Sequence, residues 1–130
     1  MSRFILYMLA YLVPTFVLGY AWHLRLFART YEELALYRDQ VIIPFGFTAM
    51  LVQGGFVAWT YPRLVAAPAS LSSGLLFAAG AALLSWTFTT LSVGAKHRMS
   101  SVPRFLRVET GYTVVQFLLV GPLLALVSRL

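Results

Sequence analysis

LSSGLLFAAGAALLSWTFTTLSVGA, residues 71–95, runs for 25 residues without a charge or a proline. At ~1.5 Å of rise per residue a helix of this length outreaches the ~30 Å hydrocarbon core of a bilayer. In lipid the backbone must satisfy its own hydrogen bonds, so such a run reads as a spanning helix. Three more apolar runs, residues 4–24, 41–61 and 108–127, reach the ~20 residues a crossing needs. A β-barrel would show short alternating segments instead. The expected fold is therefore all-α: a transmembrane four-helix bundle forming a single integral membrane domain, residues 1–130.

The composition agrees. The chain is 60% hydrophobic and 11% charged, with a mean hydropathy of +0.80. A soluble domain carries about 25% charged residues, and one this small could not bury so much apolar surface. The absence of cysteine excludes disulfides, thiol catalysis and Cys-ligated metals. The net charge of +6 comes from residues lying between apolar runs, which points to anionic lipid headgroups rather than nucleic acid. Met-Ser-Arg is a meagre basic start and no Ala-x-Ala-like site follows the first run, so that run is expected to stay in place.

Loop charges set the expected orientation. Seven basic residues fall in the first and third loops (Arg25, Arg29, Arg38; Lys96, Arg98, Arg104, Arg107), against Arg3, Arg63 and Arg129 on the other side. The first and third loops are expected in the cytoplasm and both termini in the periplasm. Arg25, Lys96, Arg98, Arg104 and Arg107 are the candidate headgroup contacts. In the first loop, Thr30-Tyr31-Glu32-Glu33 fits a capping box. Tyr31, Leu34 and Ala35 share a face with Arg38 a turn later, so a short amphipathic helix lying on the membrane is expected, with a solvated linker as the alternative.

Gly74, Ala78, Ala81, Ser85 and Thr89 recur at spacings of three or four, one narrow stripe of small residues. Helices in lipid attract through close backbone approach and interhelical hydrogen bonds, so the stripe is expected to face protein, within the chain or across an oligomer. Trp86 is expected between helices with its indole N–H on an acceptor. Gly46-Phe47-Thr48 echoes Gly111-Tyr112-Thr113, which allows two helix-pair repeats about an axis along the membrane normal; chance similarity is the simpler account.

Six polar residues could carry chemistry: His23, Asp39, Gln53, His97, Glu109 and Gln116. Glu109 is placed at the start of the fourth helix, where the dipole favours a carboxylate, with Arg25, Lys96 or Arg107 as partners. His23 and His97 are the two histidines, and they lack the ligand spacing of a metal or haem site. Gln53 and Gln116 lie deeper, where amides act as interhelical glue or touch a ligand. There is no phosphate loop, nucleophile elbow or H-E-x-x-H, so no enzyme, metal or cofactor is expected.

The segments GYAWHLRLF (19–27), IIPFGFTAMLVQG (42–54), GAKHRMSSVPRF (94–105) and VVQFLLVG (114–121) resemble a group of small, uncharacterised bacterial integral membrane proteins with four predicted helices. The resemblance implies a bacterial inner-membrane location and no particular activity. Small multidrug exporters place an essential Glu in the first helix, and residues 4–24 have none. The sequence leaves two readings. One is a structural or interaction subunit, a lipid-associated scaffold whose partners are lipids, another membrane protein or further copies of itself. The other is a small transporter or ligand-binding protein with a polar pocket opening to the cytoplasm.

Overall fold

The computed structural model describes residues 2–130. The helices are α1 (Arg3–Ala21), α2 (Ala28–Leu34), α3 (Ile43–Leu64), α4 (Leu71–Trp86), α5 (Ser92–Lys96) and α6 (Val102–Val127), with π-helical turns at Trp22–Leu26 and Thr87–Leu91. With those turns the chain forms four helices long and apolar enough to cross a membrane: Arg3–Leu26, Ile43–Leu64, Leu71–Lys96 and Val102–Val127. It is a helical bundle of the multi-pass membrane type, and no strand occurs among the described residues.

The helices stand in a row, α3 against α1, α1 against α6, and α6 against α4. The closest approach is between α4 and α6. A Cβ added at Gly74 would lie 2.5 Å from the Gly121 carbonyl oxygen and 2.9 Å from Ala125 Cβ. The small-residue stripe is thus used inside the chain at Gly74 and Ala78, both buried, while Ala81 and Ser85 are half-buried and Thr89 is exposed. The π turn shifts the helix face, so that Thr90 rather than Thr89 points inward. Trp86 donates its indole N–H to Thr110 Oγ1 of α6 at 2.9 Å. Pro44 occupies the first turn of α3, where its missing N–H costs nothing.

Tyr7, Tyr11, Ala58, Tyr61, Phe117 and Leu124 centre the main core, near the end carrying both termini. Tyr61 packs on Tyr7 at 5.2 Å and edge-on to Phe77 at 5.0 Å. At this end Ser128 Oγ accepts from Ala69 N–H at 2.8 Å, and Arg129 Nε donates to the Ala69 carbonyl at 3.1 Å.

Three local expectations are corrected. First, α2 begins at Ala28 with Phe27 at its N-cap, so Thr30 is inside the helix and the capping box does not form; Thr30 Oγ1 instead receives Arg104 Nη2 at 3.5 Å. Second, α2 does not present its apolar face to lipid. Tyr31 is 1% exposed and Leu34 0%, both packed on Phe105 in a second core. Protein contacts satisfy that face before the membrane can. Third, α6 begins at Val102, seven residues before Glu109, with Ser101 as N-cap and a proline in the first turn. Arg104 and Arg107 lower the hydropathy there and hide a start that Ser101 and Pro103 mark. Glu109 is therefore two turns inside the helix, beyond reach of the terminal dipole.

Candidate functional site

The first and third loops meet at one end of the bundle. Ser100 donates from Oγ to the Glu33 carbonyl at 2.6 Å and from its N–H to the Leu34 carbonyl at 3.1 Å. Arg104 reaches Glu33 at 2.6 Å, and Arg29 reaches it at 2.9 Å. Arg104 first, then Arg29, holds the Glu33 carboxyl below its ordinary value of 4.5. A carboxyl depressed in the folded state stabilises docking above its unfolded pKa and loses that contribution as pH falls through the folded value. Hydrogen exchange at residues 31–35, whose amides are bonded in and at the end of α2, should therefore quicken as pH drops below about 4.5. Exchange is to be corrected for intrinsic rates, and Glu33→Gln should remove the pH dependence.

Against this docked loop lies a buried polar cluster. His23, in the π turn that closes α1, places Nε2 3.2 Å from Glu109 Oε1 and Nδ1 3.0 Å from the Gly19 carbonyl oxygen. Tyr31 donates its hydroxyl to the same Glu109 oxygen. Burial, then the hydrogen bond and charge of Glu109, raise the Tyr31 phenol well above its ordinary value, so it stays a donor. Glu109 is 8% exposed. Arg25, expected as its partner, instead bonds Tyr20 at 2.7 Å; the carboxylate is held by a ring and a phenol.

A carbonyl only accepts, so Nδ1 of His23 donates to Gly19 and Nε2 faces Glu109. Both ring nitrogens are engaged, so no imidazole lone pair is offered to a substrate. The cluster is suited to hold α1, α2 and α6 together rather than to act as a catalytic base.

His23 also sits among aromatic rings: Tyr112 at 4.5 Å, Tyr31 at 4.9 Å and Tyr37 at 6.2 Å. Tyr31 and Tyr37 stack at 4.8 Å, within 6° of parallel. Beside this group α1 and α3, which pack tightly at the opposite end, diverge. Residues 43–49 of α3 are exposed throughout. The divergence leaves a cleft of about 420 Å3. Phe16 and Phe47, edge to face at 5.8 Å, meet at its inner end, and Leu24, Val41, Ile42, Ile43 and Met50 contribute apolar walls. A more polar outer chamber of about 720 Å3, with Glu32 and Asp39 in its walls, shares His23, Leu24, Tyr37, Arg38 and Val41 with the cleft.

The six polar residues singled out in the sequence divide into four places. His23 and Glu109 are bonded to each other, and Asp39 lines the outer chamber beside His23. Gln53 and Gln116 meet through Tyr11: Tyr11 donates to Gln53 Oε1 at 2.7 Å, and Gln116 Nε2 donates to the Tyr11 hydroxyl at 3.4 Å and to Thr15 Oγ1 at 3.1 Å. They form a second cluster about 10 Å further along α6, outside the linings of the cleft and the chamber. His97 is exposed, its Nδ1 against the Val93 carbonyl. Lys96, Arg98 and Arg107 are exposed at the rim. Among the described residues no three His, Asp or Glu side chains gather as a metal set. The sequence reading missed Tyr37, Tyr112 and Arg38 as site residues. One signal was available for Tyr112: it lies three residues after Glu109, on the same helix face.

No family model, curated protein or solved structure matches this chain.

Proposed function

We propose that this chain is an inner-membrane protein, its first and third loops cytoplasmic, that binds a membrane-resident amphiphile in the cleft between α1 and α3. One observation carries the reading: the cleft is apolar over most of its wall and gathers polar groups at the end it shares with the outer chamber. Small-molecule sites have this build, apolar walls with a few convergent polar groups. The cleft follows α1 from Phe16 to Leu24 and α3 from Ile43 to Met50, so it is roughly 10–12 Å deep at helical rise. That is most of one ~15 Å leaflet of hydrocarbon.

The scaffold reading drew on the small-residue stripe, the basic rim and the lack of a catalytic template. Gly74 and Ala78 pack against α6 within the chain, so these two positions offer no surface to a partner. The Gln53–Gln116 cluster is occupied by Tyr11 and Thr15 and fits interhelical glue.

The test is photolabelling of the full chain in nanodiscs with a long-chain alcohol bearing a diazirine. Label should concentrate on Phe16, Phe47 and Met50. Gly46 lines the cleft, and a Cβ there meets nothing within 4 Å. Gly46→Leu should fold normally and cut cleft labelling roughly tenfold, the equivalent of ~1.4 kcal/mol of lost binding. Label spread evenly onto lipid-facing Leu76 and Leu83 would overturn the proposal.

A further inference from the structure

We infer that the amphiphile is a single-chain carboxylate, a long-chain acid whose headgroup sits at the junction of cleft and outer chamber. This rests on the cleft reading above and adds the chemistry of the head. Arg38 is the one Arg, Lys, Asp or Glu side chain among the described residues lining the cleft, and it also lines the chamber. It takes part in no ion pair among the described residues, whose salt bridges join His23 to Glu109, and Arg29 and Arg104 to Glu33. Tyr37 and Tyr112 line the same cleft, and neither hydroxyl is hydrogen-bonded to a described residue. The junction therefore gathers one free guanidinium and the free phenol of Tyr37, while the Tyr112 hydroxyl lies deeper in the cleft, beside Gly19 and Met50. Glu109 is already engaged by His23 and Tyr31 and does not compete for them.

A guanidinium in no ion pair at the polar end of an apolar cleft calls for an acceptor headgroup. A planar guanidinium fork matches a carboxylate through two parallel hydrogen bonds. Among anionic heads the charge balance favours the one of lower charge. Glu32 and Asp39 line the outer chamber, so a phosphate monoester near two negative charges would meet more repulsion than a carboxylate. The volume, about 420 Å3, lies at the small end of the ligand-pocket range and suits one chain rather than two.

The experiment is competition against the diazirine alcohol in the same nanodiscs. Hexadecanoate should displace it at least tenfold better than methyl hexadecanoate, and also better than hexadecyl phosphate. Arg38→Gln should bring acid and ester to within about twofold of each other, read as the ratio of the two competitors on the same variant. Arg38→Lys should restore part of the preference. Equal competition by acid and ester in the unmodified protein would overturn the carboxylate assignment and leave the cleft reading standing. Stronger competition by the alkyl phosphate would overturn it in favour of a phosphate head. Absence of specific labelling by any probe would overturn the cleft itself, and this inference with it.

Discussion

Gly74→Val should remove about 3 kcal/mol of unfolding free energy in bicelles, the upper end of what overpacking costs. The first added carbon would lie 2.5 Å from the Gly121 carbonyl oxygen, and that atom is backbone, which cannot rotate away. Relief requires α4 and α6 to separate, and their approach also brings the Ala78 methyl within 3.0 Å of where a Gly121 Cβ would be. Separation would disturb the Trp86–Thr110 hydrogen bond as well. Gly80→Ala, on the same helix but with nothing within 4 Å, should be neutral or stabilising by up to about 1 kcal/mol. Steric trapping of the two variants checks this. Equal stabilities would mean that α4 and α6 do not approach at Gly74.

The second large effect is expected at Glu109. Glu109→Ala leaves His23 Nε2 and the Tyr31 hydroxyl facing an emptied, largely buried space. Removing one partner of a buried pair costs about 3–5 kcal/mol. Side-chain exposures of 17% for His23 and 11% for Glu109 place this case near the lower figure. Glu109→Gln keeps an acceptor oxygen for Tyr31 and should lose only about 1 kcal/mol. Because the lost bonds tether α2, amide exchange at residues 31–34 should rise more in the alanine variant than exchange in α4. If alanine and glutamine behaved alike, the acceptor role of Glu109 would be wrong.

The spanning helices were legible because length and hydropathy suffice to specify a crossing. The small-residue stripe was legible for the same kind of reason, since helical periodicity lines up Gly74 and Ala78 whatever they touch. The start of α6 was legible only in the Ser101–Pro103 signal, because Arg104 and Arg107 break the apolar pattern that defined the run. The site was less readable. His23 and Glu109 are 86 residues apart, and their meeting depends on α1 packing against α6, which no local pattern encodes. The π turn that carries His23 has no composition of its own. Tyrosines 31, 37 and 112 are equally at home in a core, an interfacial belt or a binding site, so composition could not sort them. Arg38 was counted as a loop charge, when its position between cleft and chamber is what distinguishes it from Arg98.

The Ser100 hydrogen bonds to the Glu33 and Leu34 carbonyls have a mechanical consequence. The cleft is walled by the first helix pair, yet the segment roofing it hangs from α2, and α2 is riveted to the hairpin of the second pair. A rigid shift of α6 would carry Tyr112 directly, and Tyr37 and Arg38 through α2. The roof of the cleft thus takes its position from the second helix pair as well as from the first.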